Sequence, residues 1–138
     1  YAETKNAMWR ERSVQNVIGL QRRIDVAVFG VGCLNARVPS HAYTAGYMDD
    51  DDKHALAADG VVGDVATVLL REDGSWKDIA FNDRASGLTP SELARIPRRF
   101  CVAADPSRAP AVVGALRAGT TTDLVVDEGT ALAVQARL

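Results

Sequence analysis

The segment IDVAVFGVGCLN, residues 24–35, decides how this 138-residue chain folds. Its apolar run IDVAVFGV lacks polar alternation, which predicts a strand buried on both faces of a parallel sheet. The run leads into Gly30-Val31-Gly32, a pattern that begins many phosphate-binding turns. A dinucleotide fingerprint needs a third glycine at Asn35 and then a helix, but Arg37-Val38-Pro39 follow instead. The glycines therefore serve either a close-packed strand end or a loop that binds a polar ligand.

Helical and strand-like segments alternate outward from this strand. A hairpin is predicted within residues 62–84, with its tight turn at Asp73-Gly74, a dipeptide that tolerates positive φ. Thr89 and Glu92 form a capping box that starts a helix. The remaining strands are predicted at 98–105 and 122–129, and the helices at about 5–22, 49–60, 89–96, 106–119 and from the last strand to Leu138.

Strands that alternate with helices of this length imply βαβ units. The predicted fold class is therefore α/β, a Rossmann-like three-layer sandwich with a mostly parallel sheet plus a β-hairpin. We expect one domain over residues 1–138, because the length suits a single core and no linker or repeat interrupts the chain. The abrupt start on a helix suggests part of a larger protein.

Charge and cysteine content exclude several classes of function. The net charge is −2 and the basic residues are scattered, so this segment has no surface suited to DNA. The two cysteines, Cys33 and Cys101, lack metal-ligand spacing, which disfavours a zinc site or a disulfide framework. No apolar run is long enough for a membrane span and no signal peptide opens the chain. We expect a cytoplasmic protein that needs no metal and no cofactor.

Ligands of open α/β sheets bind beyond the carboxyl ends of the strands. Four polar stretches are predicted to meet there: residues 32–35, 63–64, 104–106 and 127–129. Asp64 follows a glycine and can accept hydrogen bonds from sugar hydroxyls. Asp127 and Glu128 are more simply explained as residues that cap the last helix.

Two further groups could bind a polyhydroxylated anion. Asn82, Asp83 and Arg84 offer an amide, a carboxylate and a guanidinium, although on composition alone a polar turn that closes the hairpin strand is the simpler explanation. Arg108 lies in the first turn of its helix, where it could hold a phosphate or remain a solvated surface residue. Neither histidine has a nucleophile at a motif spacing, and no lysine lies at a predicted strand end, so the residues do not indicate an enzyme.

The chain resembles the sugar-binding effector domain of the SorC family of bacterial transcriptional regulators. Matching stretches run in order along it: ERSVQNVIGLQRRIDVAVFGVGCL, AGYMDDDDKHALAADGVVGDV, LLREDGSW, FNDRASG, IPRRFCVAADPSRAPAVVGALRAG and TDLVVDEGTALAV. The resemblance implies a fold related to sugar-phosphate isomerases. It also implies a sugar, sugar phosphate or polyol as effector, and DNA binding through a separate helix-turn-helix region absent from this chain. We expect a homodimer or homotetramer with no membrane partner.

The resemblance also assigns ligand-binding residues. Gly30, Gly32, Cys33 and Leu34 match a family loop that lines the ligand cleft. Asp64 matches an acidic position that can bind sugar hydroxyls, and Arg108 falls where many members have a phosphate-binding lysine. Asn82, Asp83 and Arg84 complete the predicted ligand-binding set.

Three departures from the family pattern affect this site. Ala104-Asp105 replaces a common Gly-Gly pair, and Asp105 would place a negative charge near the supposed phosphate. Thr44 replaces a common basic residue. The family's early glycine- and threonine-rich loop, which holds a phosphate, is absent. The leading hypothesis is a non-enzymatic effector-sensing domain; the alternatives are a sugar-phosphate isomerase on the same scaffold and an oligomerisation module with a vestigial cleft.

Overall fold

Two three-stranded sheets organise the fold in a computed structural model that describes residues 1–138. Sheet A is parallel, and its strands lie in the order β1 (Val26–Phe29), β5 (Arg98–Ala103), β6 (Asp123–Val126). Sheet B is antiparallel and contains β2 (Val31–Cys33), β3 (Val61–Val65) and β4 (Val68–Arg71). The α/β class, the parallel sheet and the hairpin are thus confirmed.

Seven α-helices and two 3-10 helices surround the strands. The capping box of Thr89 and Glu92 is present as predicted, and Asp49 and Asp52 form a second one. None of the helices is long and apolar enough to cross a membrane. The α-helices are α1 (Ala2–Met8), α2 (Arg12–Gln21), α3 (His41–Thr44), α4 (Asp50–Ala58), α5 (Pro90–Leu93), α6 (Ala109–Arg117) and α7 (Glu128–Gln135), and the 3-10 helices are Ala80–Arg84 and Pro106–Arg108.

The prediction of one helix over residues 5–22 is wrong, because the chain turns between α1 and α2. The N–H groups of Arg10 and Glu11 close the last turn of α1 on Ala7 and Met8. Glu11 then has extended backbone with ψ of 136° and precedes α2. The apolar stripe of Val14, Val17 and Ile18 lies within α2, and the residues three and four positions before Val14 are Glu11 and Arg10, so the periodicity supports a helix only over α2.

The strand predicted over residues 24–31 divides between the two sheets. β1 ends at Phe29, and after Gly30 the chain enters sheet B, where Val31 pairs with Val65. A Cβ on Gly30 would lie 3.4 Å from the Val102 carbonyl oxygen, so the chain passes close to β5 at this crossing. The expected burial on both faces is also wrong, since Val28 on the outer face is 70% exposed.

The hairpin turn lies at a different dipeptide from the one predicted. Ala66 and Thr67 join β3 to β4 with φ of 49° and 70°, the conformation of a type I′ turn. Asp73-Gly74 does turn the chain, with Gly74 at φ of 87°. No strand follows it, because the chain continues into a loop and the 3-10 helix Ala80–Arg84.

Helix α6 holds the two sheets around one core. Its Ala111, Val112, Val113 and Ala115 are fully buried, in a cluster that also contains Cys101 of sheet A. A Cβ on Gly114 would lie 2.4 Å from Leu70 Cδ1, so the glycine lets α6 pack closely against β4. The start of α6 is thereby fixed beside the carboxyl ends of the parallel strands.

Candidate functional site

The loop after β1, the middle of sheet B and the start of α6 meet at one place. Gly32 pairs with Asp64 across β2 and β3. The Arg108 guanidinium donates to the Val31 carbonyl at 2.8 Å and to the Val38 carbonyl at 3.0 Å. The structure therefore brings the 30–34 loop, Asp64 and Arg108 together, as the sequence predicts.

Asp64 is a buried carboxylate whose Oδ1 lies near the Ser40 hydroxyl without a hydrogen bond of good geometry. The residue is 5% exposed; its Oδ2 accepts a hydrogen bond from the Thr67 N–H at 3.3 Å, whereas no donor meets hydrogen-bond geometry at Oδ1. Burial raises the pKa of the Asp64 carboxyl above its usual range. The neighbouring Ser40 hydroxyl, the Thr67 N–H and the Arg108 charge act in the opposite direction without cancelling that effect.

Gly32 makes room for this carboxylate. A Cβ at this position would lie 1.8 Å from Asp64 Oδ1 and 2.5 Å from Ser40 Oγ, far inside van der Waals contact. The glycine thus allows β2 to lie against two polar side chains. The sequence left two explanations for the glycines, a close-packed strand end or a loop that binds a polar ligand. Close packing accounts for Gly32.

Tyr43 is a second buried polar group without a partner. The residue is 2% exposed and its hydroxyl makes no hydrogen bond. Burial raises the pKa of the phenol well above its usual range, and the nearby groups Asp64 and Cys33 raise it further. Two unpartnered polar atoms at one buried place are unusual, because buried polar groups normally find hydrogen-bond partners.

Sequence reasoning missed Ser40 and Tyr43, because it predicted no helix between the first strand and residue 49. Ser40 is the N-cap of α3, where its hydroxyl accepts a hydrogen bond from the Ala42 N–H at 3.3 Å. The signal was present as Pro39-Ser40 followed by helix-compatible residues, which is a typical helix start. A four-residue helix gives too little periodicity to be recognised without that signal.

Cys33 and Leu34 complete the predicted loop. Cys33 is buried and its thiol donates to the Ser107 carbonyl at 3.7 Å, which connects β2 to the 3-10 helix before α6. Leu34 is half-buried and packs against the smaller hydrophobic cluster that includes Tyr43. Both side chains therefore face the protein interior.

A cleft of about 520 Å³ opens at the carboxyl ends of β5 and β6. We call it the β5–β6 cleft; it is lined by Arg37, Ala104, Asp105, Pro106, Ser107 and Asp127. Asp105 has φ of 100°, in the region that favours glycine. Its N–H donates to Asp127 Oδ2 at 3.1 Å, so the ends of the two strands are linked.

Asn82, Asp83 and Arg84 lie on the other side of sheet B. The Asn82 amide accepts from the Leu69 N–H at 2.7 Å and donates to the carbonyls of Leu69 and Trp76, both at 2.9 Å. Asp83 is exposed. The Arg84 guanidinium stacks over the phenyl ring of Phe81, with its central carbon 4.3 Å from the ring centroid. These three residues share no hydrogen bond or ion pair with Gly32, Asp64 or Arg108.

Arg84 instead lines a second cleft of about 950 Å³, together with Thr67, His41, Tyr47 and Phe81 among others. The Thr67 N–H also donates to Asp64, so the Thr67 backbone connects this cleft to the buried carboxylate. No group of three or more His, Cys, Asp or Glu side chains is placed to hold a metal ion.

Comparison with known proteins identifies the family. Residues 1–135 match the family model described as "Putative sugar-binding domain". The transcriptional regulator LsrR of Enterobacter sp. (strain 638) is 34% identical over 136 residues, which are 98% of this chain and 42% of that protein. The deoxyribonucleoside regulator of Bacillus subtilis (strain 168) is 26% identical over 133 residues, 96% of this chain and 42% of that protein. The chain thus spans less than half the length of these relatives.

Solved structures agree with this assignment. A domain of a possible sugar-binding transcriptional regulator from Arthrobacter aurescens TC1 superposes with a TM-score of 0.86 and 46% identity, over 97% of this chain and 50% of that one. The full-length sorbitol operon regulator SorC from Klebsiella pneumoniae has the same fold, with a TM-score of 0.84 and 19% identity over 96% of this chain and 42% of that one. The chain therefore belongs to the sugar-binding domain family of bacterial transcriptional regulators, as its resemblance to the SorC family predicts.

Proposed function

We propose that this chain is the effector-sensing, non-enzymatic part of a cytoplasmic sugar-responsive transcriptional regulator. The observation that carries the proposal is the pair of unpartnered polar atoms, Asp64 Oδ1 and the Tyr43 hydroxyl, buried beside Gly32 in a chain of the sugar-binding domain family. Neither residue lines the two described clefts, so an effector must displace neighbouring residues to reach these atoms; its hydroxyls can then donate to the carboxylate and accept from the phenol. A sugar, sugar phosphate or polyol has such hydroxyl groups.

Arg108 and the 30–34 loop act together in this proposal. The guanidinium already donates to two backbone carbonyls of the loop, so its first role is to hold Val31 and Val38 in place. An effector that competes for Arg108 releases the loop, whereas one that contacts the loop backbone tightens it. Either way, ligand contact at Asp64 is coupled to the conformation of residues 30–38.

The signal is a shift between two conformations of the regulator. An effector that binds one arrangement of the loop more tightly shifts the population toward that arrangement. In a homodimer or homotetramer, the change alters the subunit interface and hence the affinity of a separate helix-turn-helix domain for DNA. Of the predicted residues Asn82, Asp83 and Arg84, Arg84 lines the second cleft and can contact an effector there, whereas Asp83 lies outside its lining and the Asn82 amide is fully paired.

A thermal-shift titration tests the proposal. The chain is incubated with pentoses, hexoses, polyols and their phosphate monoesters, and the midpoint of unfolding is measured. A ligand at 100 times its Kd stabilises the folded state by about 2.7 kcal/mol, which raises the midpoint by several degrees. Asp64→Asn should lose this response, and Asp51→Asn should keep it because Asp51 is exposed on α4, outside the site.

Three results would contradict the proposal. If no compound raises the midpoint, the chain does not sense these effectors, and the alternative of an oligomerisation module with a vestigial cleft is favoured. If Asp64→Asn responds like the unmodified chain, the buried carboxylate is not the binding group. If ribose 5-phosphate or glucosamine 6-phosphate is turned over, the chain acts as an isomerase.

A further inference from the structure

The β5–β6 cleft is lined by more negative than positive charge. Asp105 and Asp127 are its two carboxylates, and Arg37 is its cation. Backbone and side-chain hydrogen bonds, chiefly from Ser107 to Asp105 and from Thr130 to Asp127, lower the pKa of both carboxyls, to about 2 for Asp127. Both groups are therefore ionised at neutral pH.

The N–H groups that usually bind a phosphate at helix starts are already occupied here. Asp105 Oδ1 accepts from the Ser107 N–H at 2.9 Å, at the 3-10 turn that leads into α6. Asp127 Oδ1 accepts from the Thr130 N–H at 2.9 Å, and its Oδ2 accepts from the Thr130 hydroxyl at 2.7 Å. A phosphate would have to displace two carboxylates of the chain to reach these donors.

The arginines do not compensate for this charge. Arg108 is the basic residue nearest the start of α6, but its guanidinium donates to the carbonyls of Val31 and Val38. Arg37 is exposed and makes no hydrogen bond or ion pair, so it is the one guanidinium available in the cleft. A phosphate would meet two carboxylates for each available arginine.

The backbone at Asp105 indicates that its carboxylate has a function. A φ of 100° disfavours every residue with a Cβ. Glycine would relieve the strain but would remove the carboxylate. Strained non-glycine residues of this kind cluster at ligand sites.

We propose that the β5–β6 cleft binds an uncharged polyhydroxyl portion of the effector and excludes a phosphate group, with Asp105 as the excluding residue. This inference rests on the proposed function. The Asp105 carboxylate and the Ser107 hydroxyl both line this cleft, so both can contact ligand hydroxyls. Arg37 can donate to the same diol. The effector is then an unphosphorylated sugar or polyol, or carries its phosphate at an end that lies outside this cleft.

Inorganic phosphate is the direct probe. The unfolding midpoint is measured in sodium phosphate and in sodium chloride of equal ionic strength, for the unmodified chain, Asp105→Gly and Asp73→Gly. Asp73 is the matched control, since it is an exposed carboxylate that also accepts an N–H two residues ahead, from Ser75, far from the cleft. Asp105→Gly should fold, because glycine tolerates the observed φ.

The expected result is that only Asp105→Gly gains a phosphate-dependent rise, with affinity at least ~10-fold above that of the unmodified chain, a difference of about 1.4 kcal/mol. If the unmodified chain binds phosphate and Arg37→Ala weakens that binding, the inference is overturned. It is also overturned if Asp105→Gly gains no phosphate affinity, since another group then excludes the anion.

The sugar panel separates this inference from the proposed function. Ribose and ribose 5-phosphate are compared on the same three proteins, with inorganic phosphate as competitor. If a sugar phosphate binds the unmodified chain in competition with inorganic phosphate, the exclusion is wrong and effector sensing stands. If no member of the panel binds, effector sensing fails, while the phosphate titration of Asp105→Gly still decides whether Asp105 excludes the anion.

Discussion

Gly32 is the residue at which one methyl group would change the candidate site. We predict that Gly32→Ala destabilises the fold by about 1–3 kcal/mol, the usual cost of forcing an extra group into a packed interior. The new Cβ would overlap Asp64 Oδ1 and Ser40 Oγ, so both side chains would have to shift from their observed positions. Urea unfolding measures the loss, and sugar binding should fall with it.

Gly19→Ala is the matched control for Gly32→Ala. Gly19 lies in α2 and has nothing within 4 Å of its Cβ position. Alanine there should stabilise the helix by roughly 0.5–1 kcal/mol, because glycine loses more conformational freedom than alanine on folding. If both substitutions shift stability in the same direction, the close approach at Gly32 is not what requires glycine.

Asp64 should make stability depend on pH in a defined direction. Its folded pKa is raised by burial, so the folded state holds the proton more tightly than the unfolded state does. This carboxyl therefore favours folding at pH below its unfolded pKa, and that contribution is lost as the pH rises through the folded value. At pH 7 the buried charge is a cost, which a neutral side chain avoids.

We predict that Asp64→Asn is at least as stable as the unmodified chain at pH 7, by up to about 1 kcal/mol. The advantage should shrink as the pH falls and Asp64 becomes protonated. Unfolding midpoints between pH 4 and pH 8 test this, with the exposed Asp51→Asn as control. The midpoint of Asp64→Asn minus that of the unmodified chain is the quantity to compare. If this difference is smaller at pH 7 than at pH 4, the attraction between the Asp64 carboxylate and Arg108 outweighs the cost of burying the charge.

At the scale of elements, sheet B was the hardest to predict. The turn at Ala66-Thr67 lacks the asparagine or glycine that favours positive φ, whereas Asp73-Gly74 has the preferred composition. Tertiary contacts explain the choice. The Thr67 N–H bonds to Asp64 and its hydroxyl accepts from the Gly87 N–H at 3.3 Å, so the surrounding chain holds a turn that local propensity does not favour.

Asn82 fixes the outer edge of β4. We predict that Asn82→Ala costs about 2–4 kcal/mol, because it removes three hydrogen bonds and leaves the Leu69 N–H and carbonyl without partners at that edge. Asn82→Asp should lose at least as much stability, because it keeps the acceptor for the Leu69 N–H but places a carboxylate oxygen against the carbonyl oxygens of Leu69 and Trp76, to which it cannot donate. Urea unfolding of both variants measures the difference.

The same pair of variants separates structure from ligand contact at Asn82. If the amide only supports β4, then folded Asn82→Asp should bind the effector as the unmodified chain does. The exposed Asp83→Asn serves as a control with little effect on stability. A large loss of affinity in Asn82→Asp with unchanged stability would instead place this amide in the binding contacts.

For the molecule as a whole, the sequence predicted that Gly32, Asp64 and Arg108 meet, but neither the separate position of residues 82–84 nor how these side chains are used. Strand ends are set by apolar runs and glycines, so the meeting of Gly32, Asp64 and Arg108 could be anticipated. Side-chain partners depend on packing between distant segments. The commitment of Arg108 to the loop carbonyls and of Asn82 to β4 therefore became visible only in three dimensions.

The outer face of sheet A is the main departure from a closed α/β architecture. Parallel sheets are normally covered on both faces, but here Val28, Val102 and Val125 are 70%, 46% and 52% exposed. The other face of the same strands packs into the core through Phe29, Cys101 and neighbouring residues. The 138-residue chain by itself thus presents a continuous apolar surface to solvent.

We predict that this surface makes the isolated chain self-associate and bind a hydrophobic dye such as ANS. Val28→Thr combined with Val125→Thr keeps strand-forming side chains while it reduces apolar area, so both signals should fall. Val38→Thr is the matched control, because Val38 is 64% exposed in a loop outside sheet A and should change neither signal. Sedimentation velocity over a concentration series measures the association. If the unmodified chain is monomeric and binds no dye, the exposed face of sheet A does not drive association and the prediction is wrong.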